Sequence, residues 1–197
     1  FVWLEGEFYN RAAIDPEAPT DPQLLLSLYR ADPSLKRLSE IDGLYTAVLY
    51  DAPAQQLHLV SDRYGLRPLY WTEHQNNLAW ASEAKALWTL PGLSLQLERR
   101  ALDAFLGVGY LYDNLTWFQN IQRLPAASVL TWDLRSGTST VQPYWSWDHI
   151  APVASANAAE LADELGSRFT TAVQQRCHPP QCVGLVLSGG LDSRAIL

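Results

Sequence analysis

The sequence predicts mixed α/β structure of two kinds in succession: a domain built on antiparallel sheets, then the start of an α/β domain with a parallel sheet. Short strand-like runs joined by tight turns occupy residues 43–81, a spacing typical of antiparallel sheets. The composition changes after Trp147, where a linker-like stretch at 150–158 precedes a helical pattern. A helix that leads into an apolar run and a glycine turn, at 183–190, is how an α/β domain begins.

The first elements of the chain carry most of its candidate binding residues. A strand is expected at residues 1–4, followed by a turn at 5–10 that holds two carboxylates. A helix is expected from Asp21, interpreted as its cap, with Pro22 in the first helical position. Apolar residues at helical spacing continue that helix to about residue 32: Leu24, Leu25, Leu28 and Tyr29.

The later elements follow from alternation, turns and caps. Strands are predicted at 43–51, 57–61, 68–71, 78–81, 129–133 and 138–144. Short helices are predicted at 83–87, capped by Ser82, and at 97–106. Asn157 and Glu160 have the spacing of a capping box, which predicts a helix that ends near 177–180.

The composition describes a chain that can bury a large core. Hydrophobic residues make up 48% and charged residues 18%, which argues against disorder. The net charge of −7 gives no general attraction to nucleic acid or to anionic membranes. No apolar run approaches the roughly 18 residues that span a bilayer. We therefore expect a cytoplasmic protein that binds neither nucleic acid nor membrane.

Cysteine usage and the ends of the chain add two expectations. Cys177 and Cys182 fit a reducing compartment, and even with His178 they are too few for a closed zinc site. The chain contains no Met and stops at Leu197 inside a predicted helix, so we expect a piece of a longer protein.

A candidate phosphate-binding loop follows the apolar run at 183–187, which has the pattern of a buried strand. A strand, a glycine turn and a helix start would bring backbone N–H groups and a positive dipole end to one point, which suits a phosphate. The spacing of the common P-loop is absent. The residues concerned are Leu187, Ser188, Gly189, Gly190, Asp192 and Ser193. The alternative is a glycine turn without a ligand.

The string from Ser188 to Ser193 resembles the pyrophosphate-binding loop of ATP pyrophosphatases, which cleave ATP between the α and β phosphates. Other separated strings look like the asparagine synthetase family, at 6–10, 42–46, 62–70, 81–87 and 123–126. They span nearly all 197 residues in the family's order. The resemblance implies that residues 1–148 form a glutamine amidotransferase domain, an αββα sandwich of the Ntn-hydrolase type whose N-terminus is missing. Residues 149–197 would then begin an ATP-pyrophosphatase domain.

The resemblance also implies an ATP-dependent, glutamine-using amide ligase. Members of the family hydrolyse glutamine to ammonia with an N-terminal cysteine. With ATP and Mg²⁺ they adenylate aspartate, and the ammonia then gives asparagine, AMP and pyrophosphate. The expected cofactors are thus ATP and Mg²⁺, and the expected partners are glutamine and an acid, most simply aspartate, with a homodimer left open. The 197-residue piece itself is expected to show no synthetase turnover.

The family's roles can be carried over residue by residue. Gly6 would offer its backbone N–H to the oxyanion of the tetrahedral intermediate, and Glu7 and Asp21 would hold the amino group of glutamine. Asp192 would reach a Mg²⁺ that bridges the phosphates. Without the resemblance, Glu7 is a surface carboxylate, whereas Asp21 and Asp192 are helix caps.

Two positions depart from the family. Glu5 stands in place of an asparagine whose side-chain amide helps to build the oxyanion hole, and an ionised carboxylate cannot donate. Losing one such donor typically raises the rate barrier by about 2.7–4 kcal/mol. Arg194 stands where the family often has serine. Both departures favour a second hypothesis, a ligase without glutaminase chemistry, as in β-lactam synthetases or lasso-peptide cyclases. A third hypothesis is a non-catalytic sandwich domain that serves as a binding surface.

Overall fold

The computed structural model describes residues 1–152, 157–177 and 183–197 and divides into two compact units, Phe1–His149 and Ile150–Leu197. The strands of the first unit are β1 (Val2–Phe8), β2 (Gly43–Asp51), β3 (Gln56–Ser61), β4 (Tyr70–His74), β5 (Asn77–Ala81), β6 (Gln122–Arg123), β7 (Ser128–Asp133) and β8 (Thr138–Pro143). Its α-helices are α1 (Arg11–Ile14), α2 (Asp21–Ala31), α3 (Ala84–Leu87) and α4 (Arg99–Val108). Two 3₁₀ turns, Lys36–Glu40 and Trp147–His149, complete this unit.

The strands form two sheets, one in the order β1-β2-β3-β7-β8 and the other in the order β5-β4-β6. Every pairing between the described strands is antiparallel, which confirms the predicted antiparallel sheets. Helix α2 covers one face of the larger sheet, where its leucines pack with Tyr45 and Leu49. On the opposite face, Leu59 and Leu130 pack with Trp71 of the smaller sheet. Helix α3 contacts β4 and β5.

The predicted turn at residues 5–10 is wrong in its first half. Glu5, Gly6 and Glu7 belong to β1 and lie opposite Thr46, Tyr45 and Leu44 of β2. Glutamate and glycine disfavour strands in isolation, but the pairing of β1 along its whole length with β2 outweighs that preference.

Two predicted helix caps are also wrong. Helix α2 has Thr20 as its N-cap, so Asp21 is its first helical residue. Helix α3 has Glu83 as its N-cap, so Ser82 lies outside it.

The second unit contains α5 (Ala158–Arg176) and α6 (Leu191–Ile196). The side chain of Asn157 accepts a hydrogen bond from the N–H of Ala159 at 3.0 Å, which confirms the cap predicted there. The strand predicted at 183–187 does not form, because a strand needs a neighbour for its backbone groups and the described chain offers none. Part of the predicted linker (153–156), the predicted helix end at 178–180, and His178 and Cys182 lie outside the described residues. Cys177 is exposed.

Within the described ranges, no helix is both long and apolar enough to cross a membrane.

A buried polar network joins α2 to the larger sheet. His58 is only 3% exposed, and its Nε2 lies 3.3 Å from the hydroxyl of Tyr29, which donates to Asp51 at 2.8 Å. Since the Tyr29 proton is directed to Asp51, Nε2 of His58 carries the proton and Nδ1 accepts from Thr131 at 2.9 Å. Burial lowers the pKa of His58, whereas burial and the Asp51 carboxylate raise the pKa of Tyr29 to about 12.

The network predicts a loss of stability in mild acid. Because the folded state lowers the pKa of His58, the unfolded chain binds the proton more readily, and the contribution of neutral His58 is lost as the pH falls below 6.5. From pH 6.5 to 5.5 the free energy of unfolding of the wild-type chain should fall by up to about 1.0 kcal/mol more than that of H58Q. Urea denaturation at each pH measures this. The exposed-site variant H149Q should follow the wild type, and equal losses for H58Q and wild type would contradict the prediction.

Candidate functional site

The open edge of β1 presents backbone N–H groups away from the sheet. Phe8 donates its N–H to the carboxylate of Asp21 at 2.9 Å, whereas the next residue, Tyr9, donates to the carbonyl of Asp42, which leads into β2. Backbone direction alternates along an antiparallel strand, so the N–H of Gly6 points to the same open edge as that of Phe8. The N–H of Gly6, which the family resemblance predicts to bind the oxyanion, is therefore directed out of the sheet.

Gly6 is held in a conformation that requires glycine. Its φ of +119° is rarely adopted by other residues. A Cβ atom there would lie 2.0 Å from the carbonyl oxygen of Leu44 and 2.8 Å from the Cα of Tyr45. The two strands thus approach each other at Gly6 more closely than any side chain allows, and this approach fixes the position of its N–H.

A cleft of about 400 Å³ opens on the face of β1 that is turned away from α2. Val2, Leu4 and Phe8 pack into the core beneath α2, so the alternation of the strand places Glu5 and Glu7 on the opposite face. The cleft is lined by Glu5, Leu44, Thr46, Leu66, Arg67, Pro68 and Ser82. Glu5 lines the cleft itself, and Leu44, the β2 partner of Glu7, lines it too, so Glu7 lies on the same face of the sheet as the cleft.

Glu5 is engaged on both carboxylate oxygens. Arg67 Nη1 lies 2.8 Å from Oε1, and the hydroxyl of Ser82 donates to Oε2 at 3.2 Å. The Nε of Arg67 is buried without a hydrogen-bond partner in the described chain. An unpaired buried donor costs roughly 1–3 kcal/mol, which the partly exposed contact between Nη1 and Glu5 offsets only in part.

The loop that carries Arg67 is built around a buried carboxylate. Asp62 is fully buried, and its oxygens accept the backbone N–H groups of Tyr64, Leu66 and Arg67 at 2.9, 3.2 and 3.0 Å. Three such bonds to one ionised group fix the path of the loop more firmly than neutral contacts would. The position of Arg67 is therefore set by the loop as well as by Glu5.

The two carboxylates predicted to hold the amino group of glutamine differ in their surroundings. Glu7 is exposed, and its side chain has neither ion pair nor hydrogen bond within the described ranges. Asp21 is engaged twice, by Nε of Arg11 at 2.9 Å and by the N–H of Phe8 at 2.9 Å. Asp21 thereby ties the start of α2 to the open edge of β1, two residues from Gly6. Glu7 remains free to bind a cation.

The predicted phosphate loop lies in the second unit, which is described by itself. The hydroxyls of Ser188 and Ser193 come within 3.3 Å of each other, and Gly189 has a φ of +79° that suits glycine. Helix α6 has Gly190 as its N-cap and Asp192 in its first turn, so the cap predicted at Asp192 is wrong. Its carboxylate is exposed. Among the residues described, no group of three His, Cys, Asp or Glu side chains could hold a metal ion.

Residues 3–145 match the family model described as "glutamine amidotransferase domain". The chain belongs to this family. Three relatives support the predicted resemblance to asparagine synthetases and extend it. Asparagine synthetase (glutamine-hydrolyzing) 2 of Bacillus subtilis is 27% identical over 99% of this chain and 28% of its own length. A Methanocaldococcus jannaschii protein, also named for glutamine-hydrolyzing asparagine synthetase, is 24% identical over 100% of this chain and 39% of its own length. Amidase chry2 of Gibberella zeae is 29% identical over 90% of this chain and 26% of its own length.

The resemblance to the asparagine synthetases is thus confirmed, and the chain spans roughly a quarter to two fifths of the length of these relatives. One solved structure is also similar, the glutamine phosphoribosylpyrophosphate amidotransferase from B. subtilis complexed with ADP and GMP. It has a TM-score of 0.48 and 16% identity over 73% of this chain and 29% of that chain.

Sequence reasoning about this amidotransferase domain missed Arg67, Ser82 and Asp62. All three lie in strings that resemble the family, at 62–70 and 81–87. Arg67 and Ser82 bond to Glu5 across more than 60 residues of sequence, which leaves no local signal. Asp62 acts within its own loop, where it accepts the backbone N–H groups of Tyr64, Leu66 and Arg67. The one available hint was charge: a glutamate in place of an asparagine needs a compensating cation, and Arg67 is one of few arginines in those strings.

The close approach of β1 and β2 predicts a strong effect of G6A in the amidotransferase domain. An added methyl group would clash with the Leu44 carbonyl in a backbone conformation that alanine avoids, so the free energy of unfolding should fall by at least about 3 kcal/mol. Denaturant unfolding of the 197-residue chain measures this. G107A is the matched control, because a Cβ there meets nothing within 4 Å in α4 and alanine is favoured over glycine by about 1 kcal/mol. An unchanged stability of G6A would refute the constraint.

Proposed function

We propose that this chain is part of an ATP-dependent, glutamine-using amide ligase of the asparagine synthetase type. In that reaction glutamine is hydrolysed to glutamate and ammonia, and aspartate is converted to asparagine while ATP gives AMP and pyrophosphate. One observation carries the proposal: the N–H of Gly6 is directed out of the sheet at an edge bordered by a cleft. Membership of the glutamine amidotransferase domain family and the names of the relatives support it.

In the glutaminase half, residues 1–148 form the αββα sandwich of the Ntn-hydrolase type. Gly6 donates its N–H to the oxyanion that develops when the amide carbon of glutamine is attacked. The free carboxylate of Glu7 binds the ammonium group of glutamine. Asp21 assists Glu7 in the same role, although its bonds to Arg11 and Phe8 leave it less capacity.

In the synthetase half, residues 149–197 begin the ATP-binding domain. Leu187, Ser188, Gly189, Gly190 and Ser193 provide the backbone and hydroxyl groups that cradle the phosphates, a role that suits the approach of the two hydroxyls and the glycine conformation. Asp192 offers the carboxylate oxygen that Mg²⁺ prefers. Bound ATP supplies the adenylyl group that activates the acid. We infer aspartate as that acid and the cytoplasm as the location, with no nucleic acid or membrane partner and with a homodimer left open.

A second candidate is a related ligase without glutaminase activity, which takes an internal amine instead of ammonia. The carboxylate of Glu5 at the position of the family's asparagine favours it, as does Arg194. The two candidates share the phosphate loop and differ at β1.

Two assays on the full-length parent protein separate these candidates. Glutamine hydrolysis together with aspartate-dependent exchange of pyrophosphate into ATP is the expected result. Exchange with aspartate or another acid but without glutamine hydrolysis would favour the second candidate. The absence of both activities would contradict the ligase and leave the sandwich as a binding domain.

The free carboxylate of Glu7 predicts a binding defect. In the parent protein, E7Q removes a charge-assisted hydrogen bond to the ammonium group, so the KM for glutamine should rise roughly 10- to 100-fold with kcat changed only a few-fold. Steady-state glutaminase kinetics measure both constants. E160Q, which removes an exposed carboxylate from α5, is the control and should keep the wild-type KM. An E7Q variant with the wild-type KM would show that Glu7 does not touch the substrate.

A further inference from the structure

A further role for the Glu5–Arg67 ion pair follows from the charge of Glu5 beside Gly6, and it rests on the proposed glutaminase function. We propose that Arg67 is a positioning residue of the glutamine site. By binding the Glu5 carboxylate it compensates a negative charge that would otherwise face the oxyanion at Gly6. An acidic residue can then stand beside the oxyanion donor without abolishing the chemistry.

The difficulty follows from the spacing of adjacent residues. The Cα atoms of Glu5 and Gly6 are about 3.8 Å apart, as in any trans peptide. An unpaired carboxylate on the residue next to the oxyanion donor would repel the developing oxyanion. A guanidinium nitrogen 2.8 Å from the carboxylate makes the net charge of the pair zero, which weakens that repulsion.

Arg67 is well suited to this role because its place is fixed from two sides. The loop around Asp62 holds the backbone N–H of Arg67 at 3.0 Å, and the guanidinium reaches Glu5 across the cleft. Ser82 donates to the second oxygen of Glu5 at 3.2 Å, so the carboxylate cannot swing freely. The three groups line the same cleft, and none of them belongs to the buried hydrophobic cluster between the two sheets.

The test compares R67Q, E5Q and the double variant E5Q/R67Q in the full-length parent protein. With Arg67 removed, the Glu5 charge is uncompensated, so kcat for glutamine hydrolysis should fall roughly 10- to 100-fold with little change in KM. Adding E5Q removes that charge and should restore kcat to within a few-fold of the wild type. A merely structural role of Arg67 would give no such rescue.

The control is R37Q, which breaks the Arg37–Glu40 pair. That pair has the same 2.8 Å separation, and its side chains are exposed to a similar degree, 42% and 45% against 38% and 43% for Arg67 and Glu5. R37Q should keep the wild-type kcat. Thermal unfolding of each variant establishes that it is folded.

The outcomes distinguish this inference from the function on which it rests. A wild-type protein that does not hydrolyse glutamine would overturn the proposed function and the inference with it. An active wild type with R67Q unaffected, or with R67Q impaired and not rescued by E5Q, would overturn the inference alone. If R67Q does not fold, the kcat of E5Q tests the role of Arg67 instead. We then expect E5Q to have at least the wild-type kcat, and a fall of more than 10-fold would overturn the inference.

Discussion

The contact between the backbones of β1 and β2 at Gly6 is the constraint on which the candidate site depends. With 2.0 Å between a hypothetical Cβ and the Leu44 carbonyl oxygen, the two strands leave no room for a side chain. The glycine lets an edge strand lie closely along its neighbour while its own N–H remains directed outward. The neighbouring residues Glu5 and Glu7 then lie on the face of the strand that carries the cleft, so that the donor and the acidic groups are fixed by one pairing register.

Two ion pairs fix this edge from opposite faces of the sheet. Arg11 and the N–H of Phe8 hold Asp21, which joins α2 to the end of β1 on the helix side. Arg67 holds Glu5 on the cleft side. Exposed ion pairs contribute little to stability on their own, typically 0–1 kcal/mol. These two pairs instead fix positions, because they hold charged side chains within one or two residues of Gly6, the proposed oxyanion donor.

The sequence predicted those features that depend on local pattern and missed those that depend on distant pairing. Alternation and turn residues located β2, β3 and β5, and the apolar spacing of Leu24 and Leu28 located α2. The sequence did not predict that residues 5–7 belong to β1, because glutamate and glycine disfavour strands. These residues form a strand only because they pair with β2. The Glu5–Arg67 pair was missed for the same reason, since 62 residues separate its members. The assignments of Gly6, Glu7 and Asp21 to glutamine, and of 187–193 to phosphates, remain predictions.

The proposed glutamine site can be tested by a crystal structure of the full-length parent with bound L-glutamate, the product of glutamine hydrolysis. We expect a side-chain carboxylate oxygen of the ligand within about 3 Å of the Gly6 nitrogen, and its ammonium group within hydrogen-bond distance of Glu7. Glutamate bound elsewhere in the domain, with the open edge of β1 unoccupied, would contradict it.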